Sequence, residues 1–252
     1  MDTKKQKNII VFVMTLADRY IEDIQAYAKE NDKEYRIMLL WDSKLKKPDP
    51  KEGCDIFVEC DFSKPSKIAE TLLPYQDELV AITCRTEQNI ARFMKVLPHV
   101  PYLRSSATES LGWATDKYEM RKRMRLFDPK NTPRFTWIKD DSAQERARVI
   151  EKVKFPMIVK PANLMGSLFV TICYHDDELE TTLRTMFKKL KKAYEVDTRM
   201  EKPKIIAEEY MEGSLYSIDS YVNARGDVYH CPMVQQKTAK EIGHDDFYNY
   251  LQ

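Results

Sequence analysis

The segment Phe155-Pro-Met-Ile-Val159 runs directly into Lys160-Pro161, which puts an ammonium group at the exit of an apolar, β-prone stretch. The loop that follows, Ala162 to Ser167, brings Gly166, where backbone can approach a bound group closely, and the Ser167 hydroxyl. Strand, lysine, Gly-Ser loop and strand in that order suit a clamp on a phosphate. A lysine whose stem snorkels along a strand end is the alternative reading.

A second segment, Ile205-Ile-Ala207 followed by Glu208-Glu209-Tyr210-Met211-Glu212-Gly213, sets adjacent carboxylates at the exit of another apolar strand. Recognition of adenine needs an acceptor for its amino group and a donor for a ring nitrogen. The Glu208 carboxylate, the Glu209 carbonyl and the Met211 N–H offer these, with Tyr210 flanking them. An edge strand carrying protective charges is the competing reading. The third segment, Asp116-Lys117-Tyr-Glu-Met-Arg121-Lys-Arg-Met-Arg125, opens a helix with Lys117 and Arg121 four residues apart on one face. It reads either as a solvated basic face or as a helix whose Lys117 binds an anion.

Other chemistries find little support. The 252 residues include 41 Lys and Arg against 40 Asp and Glu, for a net charge of +1, and the basic helix has no interleaved aromatics. A nucleic-acid partner is therefore disfavoured, and no stretch approaches the roughly 20 apolar residues of a membrane span. The basic start and short apolar run up to Met14 read as a first strand, because Asp18 and Arg19 intervene before any cleavage pattern. Five scattered cysteines without a C-x-x-C pair suggest neither a disulfide framework nor zinc, and fit a reducing cytoplasm. The six glycines are too dispersed for G-x-G-x-x-G or a Walker A loop. No serine or cysteine lies in a nucleophile motif. His244-Asp245-Asp246 invites a metal reading, but consecutive loop residues diverge, so His244 is better placed as a substrate-site residue.

The elements that must carry these residues follow from periodicity. Short β-branched runs at Asn8 to Met14, Glu34 to Trp41, Asp55 to Cys60 and Leu79 to Cys84 alternate with helical patterns at Ala17 to Asn31, Lys67 to Leu73 and Gln88 to Leu97. This predicts a Rossmann-like parallel sheet with helices on both faces over residues 1–105. Residues 106–130 read as a helical connection interrupted around Gly112 to Thr115. Residues 131–206 form an α+β unit with strands at Arg134 to Ile138, Phe155 to Lys160 and Leu168 to Tyr174, and helices at Ala143 to Val153 and from Asp177 to about Ala193. Strand signals at Ile205 to Glu209, Ser217 to Val222 and Val228 to Val234 then lead into an antiparallel region over 207–252, with a hairpin around Gly226.

In order and spacing, T-D-K-x-x-M-R (Thr115 to Arg121), F-P-M-I-V-K-P-A with a following G-S (Phe155 to Ser167), and I-I-A-E-E-Y-M-E-G-x-x-Y-S-I-D (Ile205 to Asp219) resemble the ATP-grasp superfamily. The subset they look most like is that of carbamoyl phosphate synthetase, biotin carboxylase and the amino-acid ligases. The resemblance implies an α/β domain followed by an ATP-grasp module, made of a lid and the first part of an antiparallel C-terminal domain. It implies Lys117, Lys160, Gly166 and Ser167 at the phosphates of ATP, and Glu208, Glu209, Tyr210 and Met211 at the adenine. It points to Arg85 and Glu87, in Thr83-Cys-Arg-Thr-Glu87, as substrate contacts. The implied activity is ATP-dependent ligation of a small-molecule carboxylate to an amine through an acyl phosphate. A nucleotide-binding module or pseudoenzyme without turnover is the alternative, and a homodimer is left open.

The chain departs from the family pattern where Phe169 stands in place of a second loop glycine, and where Leu215 stands in place of a ribose-binding glutamate. The family's Mg²⁺ ligands are expected beyond residue 252, so no residue of this chain is nominated as a metal ligand. If the last domain continues past that point, Ile218, Val222, Tyr229, Met233 and Val234 are expected to be partly wet.

Overall fold

The computed structural model describes residues 7–49, 51–164, 166–196, 202–238, 243 and 249–251. They group into two compact units that divide between Gly112 and Trp113. The first contains β1 (Ile9–Val13), α1 (Asp18–Glu30), β2 (Arg36–Asp42), β3 (Ile56–Cys60), α2 (Pro65–Leu72), β4 (Leu79–Thr83) and α3 (Ile90–Val96), and α4 (Thr108–Thr115) runs across the division. The strands form one parallel sheet in the order β3-β2-β1-β4.

Alternation along these strands decides which helix covers which face. Ile9, Val11, Val13, Met38 and Leu40 pack with Ile68 and Leu72 of α2 and with Phe93 and Val96 of α3. Phe12, Ile37 and Leu39 point the other way, against Ile21 of α1. Both faces of the central strands β1 and β2 are thus buried, as a parallel sheet requires, while Val80 and Ala81 of the edge strand β4 stay exposed. At the carboxyl ends of the strands, Arg92 Nε donates to Asp42 Oδ2 at 3.2 Å, with both side chains buried. The Thr15 and Thr86 hydroxyls bond at 3.0 Å across the gap between β1 and β4, the point where strand order reverses and α/β sheets open a crevice.

The second unit contains α5 (Lys117–Phe127), β5 (Phe135–Ile138), α6 (Ala143–Val153), β6 (Met157–Pro161), β7 (Thr171–Cys173), α7 (Asp176–Val196) and β8 (Ile205–Glu209). Its strands form an antiparallel sheet in the order β5-β8-β6-β7. One face carries Ile138, Met157, Val159, Ile205 and Ala207 onto Val149 and Val153 of α6 and onto α7. α7 contributes Leu179, Leu183, Met186, Leu190 and Tyr194, an apolar stripe at helical spacing, and leaves Lys188, Lys189, Lys191 and Lys192 exposed. The alternate strand residues, among them Phe135, Ile158, Lys160, Ile206 and Glu208, belong to the opposite face.

Beyond β8 the chain forms β9 (Leu215–Ser217), β10 (Ser220–Val222), β11 (Val228–His230), β12 (Val234–Thr238) and β13 (Asn249–Leu251). Each of the two long strands expected here is split. β10 and β11 pair as the hairpin at Gly226, whose φ of 88° suits the turn. β9 and β13 flank β12 in a separate sheet. Ile218, Tyr221, Val222, Tyr229 and Met233 are exposed.

Two other expectations change. The strand expected from Leu168 shrinks to Thr171–Cys173, because Ser167 and Phe169 take φ of 55° and 60°, outside any strand. The helical connection does not break at Gly112; α4 passes through it, and the break is at Asp116. There the backbone is extended and the side chain accepts from the Tyr118 and Glu119 N–H groups at 2.9 and 3.2 Å, capping α5. The same carboxylate holds Lys204 Nζ, just ahead of β8. Asp116→Ala is expected to lower stability by about 1 to 2 kcal/mol, with Asp116→Asn recovering most of the capping contribution. Urea unfolding followed by circular dichroism measures both.

Candidate functional site

Glu208 lies on the central strand β8 and is 3% exposed. Its register partner on β6 is Ile158, which makes Lys160 its diagonal neighbour on the same face, within reach of a long side chain. Lys160 Nζ bonds Glu208 Oε1, and Arg121 Nε, from the middle of α5, donates to Oε2 at 3.0 Å. One buried carboxylate therefore joins two cations from different elements. Burial pushes the Glu208 carboxyl up, yet the Lys160 charge and then Arg121 outweigh it and hold the group below the usual carboxylate range.

Lys117 opens α5 and is tied to the loop after β6. Its N–H donates to the Ala162 carbonyl at 2.9 Å, and its Nζ donates to the Leu164 and Ala162 carbonyls at 2.7 and 3.3 Å. The Ala162 N–H in turn donates to the Lys204 carbonyl at 2.8 Å, and the buried Asn163 accepts from the Tyr194 hydroxyl. The start of α5, the loop leading to Gly166 and the entry to β8 are thereby fixed to one another.

Gly166 has φ of 68°, and a methyl group built on it would meet nothing within 4 Å. Phe169, at the position where the sequence pattern replaces a glycine, still takes the left-handed conformation, and its ring packs on the core of α6 and α7. Apolar burial holds there a backbone shape that glycine adopts without strain.

At the exit of β8, Glu209 pairs with Arg134 through two contacts, Nη2 to Oε1 at 2.9 Å and Nε to Oε2 at 3.1 Å. The Arg134 N–H adds a third at 3.1 Å, and these bonds keep the Glu209 carboxyl below its ordinary range, the backbone one most strongly. The ladder continues with the Tyr210 N–H on the Pro156 carbonyl at 3.2 Å, after which Met211 is largely exposed. The backbone from Glu209 to Met211 thus leaves the sheet beside Pro156 and Met157, at the start of β6.

Lys117, Lys160, Gly166, Ser167 and Glu208 to Met211 all belong to the second unit, whereas Arg85 and Glu87 follow β4 in the first. Arg85 lies over the Tyr20 ring at 5.1 Å, and Glu87 starts a short 3-10 turn. His244 lies outside the described residues. Among the described residues no group of three or more His, Cys, Asp or Glu side chains converges as a metal site, and no helix is long and apolar enough to cross a membrane.

Each Glu208 oxygen accepts from one cation, which leaves acceptor sites on the carboxylate while tying it to Lys160 and Arg121. Sequence reasoning did not pair Arg121 with Glu208, although the shared face with Lys117 was the available signal. The pairs Asp116 with Lys204 and Arg134 with Glu209 join residues 88 and 75 positions apart, and nothing local announces them.

Because Glu208 and Glu209 are held ionised in the folded state, the unfolded chain binds more protons near pH 4, and stability there rises with pH. That contribution is present above the unfolded carboxylate range and is lost as pH falls through the folded values. Glu208→Gln is expected to flatten the acid limb of a stability profile. Glu208→Ala, which strands two part-buried cations, should cost about 3 kcal/mol, read from chemical denaturation at neutral pH.

Comparison with known proteins gives a consistent result. A family model of the ATP-grasp domain matches residues 153–250. No curated protein matches at the sequence level. Among solved structures, the L-amino acid ligase from Bacillus licheniformis superposes with a TM-score of 0.68 at 14% identity, over 92% of this chain and 53% of that one. N5-carboxyaminoimidazole synthetase from Staphylococcus aureus, complexed with ADP, gives 0.61 at 12% identity, over 94% and 57%. Biotin carboxylase from Campylobacter jejuni, in a complex with β,γ-ATP, gives 0.61 at 13% identity, over 96% and 54%. This chain spans about half the length of each of these proteins. At such identities the likeness establishes fold: the protein has the ATP-grasp fold, and the ATP-grasp domain model matches residues 153–250.

Proposed function

We propose that the second unit binds ATP and that the protein serves an ATP-dependent carboxylate-amine ligase reaction. The observation that carries this reading is the Lys160, Glu208 and Arg121 cluster beside a loop anchored by Lys117. Lys117 and Lys160 neutralise the phosphates, and Gly166 and Ser167 approach them from the loop. Glu208 holds Lys160 in place instead of reading the base. The base is read by backbone, with the Glu209 carbonyl accepting from the adenine amino group and the Met211 N–H donating to a ring nitrogen, while Tyr210 flanks them.

In the ligase reaction a substrate carboxylate oxygen attacks the γ-phosphorus and ADP leaves. The amine then attacks the acyl carbon, expelling phosphate and losing a proton to form the amide. Arg85 and Glu87 are the first unit's candidates for contact with the carboxylate or the amine. Magnesium accompanies the phosphates in this reading, and the described residues supply no ligand set for it, so no step is assigned through it. The names of the superposed proteins, an L-amino acid ligase among them, support the ligase class.

Titration calorimetry with a non-hydrolysable ATP analogue tests the binding half. Lys117→Met and Lys160→Met are each expected to weaken affinity by roughly 1.5 to 3 kcal/mol, the range for a hydrogen bond to a charged group. Unchanged affinity in both folded variants would remove the phosphate assignment. Analogue binding together with no ADP formation from ATP itself, in the presence of carboxylate and amine substrates, would favour the nucleotide-binding module over the ligase.

Backbone reading of the base also sets a preference. Guanine presents a carbonyl where adenine presents an amino donor, so it would face the Glu209 carbonyl acceptor to acceptor. Thermal stabilisation by the ATP analogue is expected to exceed that by the GTP analogue, and the difference should persist in Glu208→Gln. Loss of the preference in that variant would return base recognition to the carboxylate.

A further inference from the structure

The outer side of β5 carries a second concave site that the nucleotide reading does not use. A cleft of about 570 Å³ opens there, within the range of small-molecule sites. Four of its lining residues are cationic: Lys122 and Arg125 from α5, Arg134 at the start of β5, and Lys152 near the end of α6. No acidic residue lines it. Its aromatic part is Tyr118 packed edge-on against Phe135 with centroids 5.6 Å apart, and the Arg125 guanidinium lies over the Phe135 ring at 4.3 Å.

The surrounding carboxylates do not balance these charges. Glu119 takes Lys122 at 2.8 Å and Glu209 takes Arg134 at 2.9 Å. Among the described residues, no carboxylate forms an ion pair with Arg125 or Lys152. Yet the chain as a whole is nearly neutral, with 41 basic and 40 acidic residues. Two separate elements, α5 through Arg125 and α6 through Lys152, thus place unbalanced positive charge in one cleft, against the mutual repulsion of like charges.

We propose that this cleft is an anion site for a phosphorylated small molecule, with Arg125 and Lys152 as its principal charge contacts and Lys122 and Arg134 at its rim. The concave shape and the local extent of the charge favour a compact ligand over a nucleic-acid strand, which would need a basic track with stacking rings. A guanidinium braced on an aromatic ring keeps its edge N–H groups free to meet phosphate oxygens in a fork.

The test titrates inorganic pyrophosphate, inorganic phosphate and glucose 6-phosphate into the full chain at physiological salt, and follows backbone amide NMR shifts. Saturable shifts clustered on residues 118–126, 134–136 and 152 are expected with pyrophosphate. Saturation by glucose 6-phosphate below the concentration needed for inorganic phosphate identifies the organic phosphate as the ligand type, and the reverse order overturns that assignment. The charge reversal Arg125→Glu with Lys152→Glu should weaken pyrophosphate at least tenfold, Arg125→Gln with Lys152→Gln should fall between, and Lys160→Met should leave these shifts in place. Three results overturn the proposal: shifts confined to the surroundings of Lys117, Lys160 and Gly166, linear shifts unchanged in the folded double variants, or tighter binding of a random oligonucleotide with a steep salt dependence.

Discussion

The second unit is organised around one electrostatic constraint, the burial of the Glu208 carboxylate in the middle of a sheet. A carboxylate at that depth is tolerated only if cations reach it. Lys160 does so from the neighbouring strand and Arg121 from a helix on the other side of the chain's turn at Asp128 to Pro133. The requirement therefore fixes α5 to the open face of the sheet while α6 and α7 close the opposite face with apolar side chains. Removing the charge would remove one of the ties on α5 and leave the Lys117 bonds to the Ala162 and Leu164 carbonyls and the Asp116 pair with Lys204.

The same constraint prepares Lys160 chemically. A lysine that left a strand end into solvent would keep full rotamer freedom, and ordering it on an incoming anion would cost entropy. Held by Glu208, its ammonium is already desolvated on one side and directed along the sheet face. Glu209, the next residue, points to the opposite side of the strand end and is occupied by Arg134. Two adjacent carboxylates thus have separate duties, one inward to orient a cation and one outward to lock the edge strand β5.

Much of this was legible in the sequence. The parallel sheet followed from β-branched runs alternating with amphipathic helices, because both signals are local and periodic. Lys160, Gly166 and Glu208 could be singled out because each stands next to a recognisable strand exit. What escaped was long-range. Arg121 bonds a residue 87 positions away, and sequence spacing placed it only on the same helix face as Lys117. The short strands β9 to β12 escaped for a related reason: continuous apolar runs such as Ser217 to Val222 do not reveal that the chain changes sheets midway. The contraction of β7 has yet another cause, since nothing in Ser167 or Phe169 as residue types advertises a left-handed backbone.

The basic stretch at the start of the second unit shows why composition alone misleads about charge. Read as a string, Lys117 to Arg125 is a block of positive residues. Wound into a helix at about 100° per residue, it is divided among directions, and each charge meets a different environment. Lys117 turns to the Ala162 and Leu164 carbonyls, Arg121 to Glu208, Lys122 to Glu119, Arg123 to the face of Trp113, and Arg125 to the face of Phe135. Two of these side chains reach groups of the candidate nucleotide site, two lie on aromatic rings, and one is neutralised within its own helix. A continuous basic surface needs its charges to share a face. This helix disperses them, and that geometry links one short segment both to the Glu208 cluster and to the cleft beside β5.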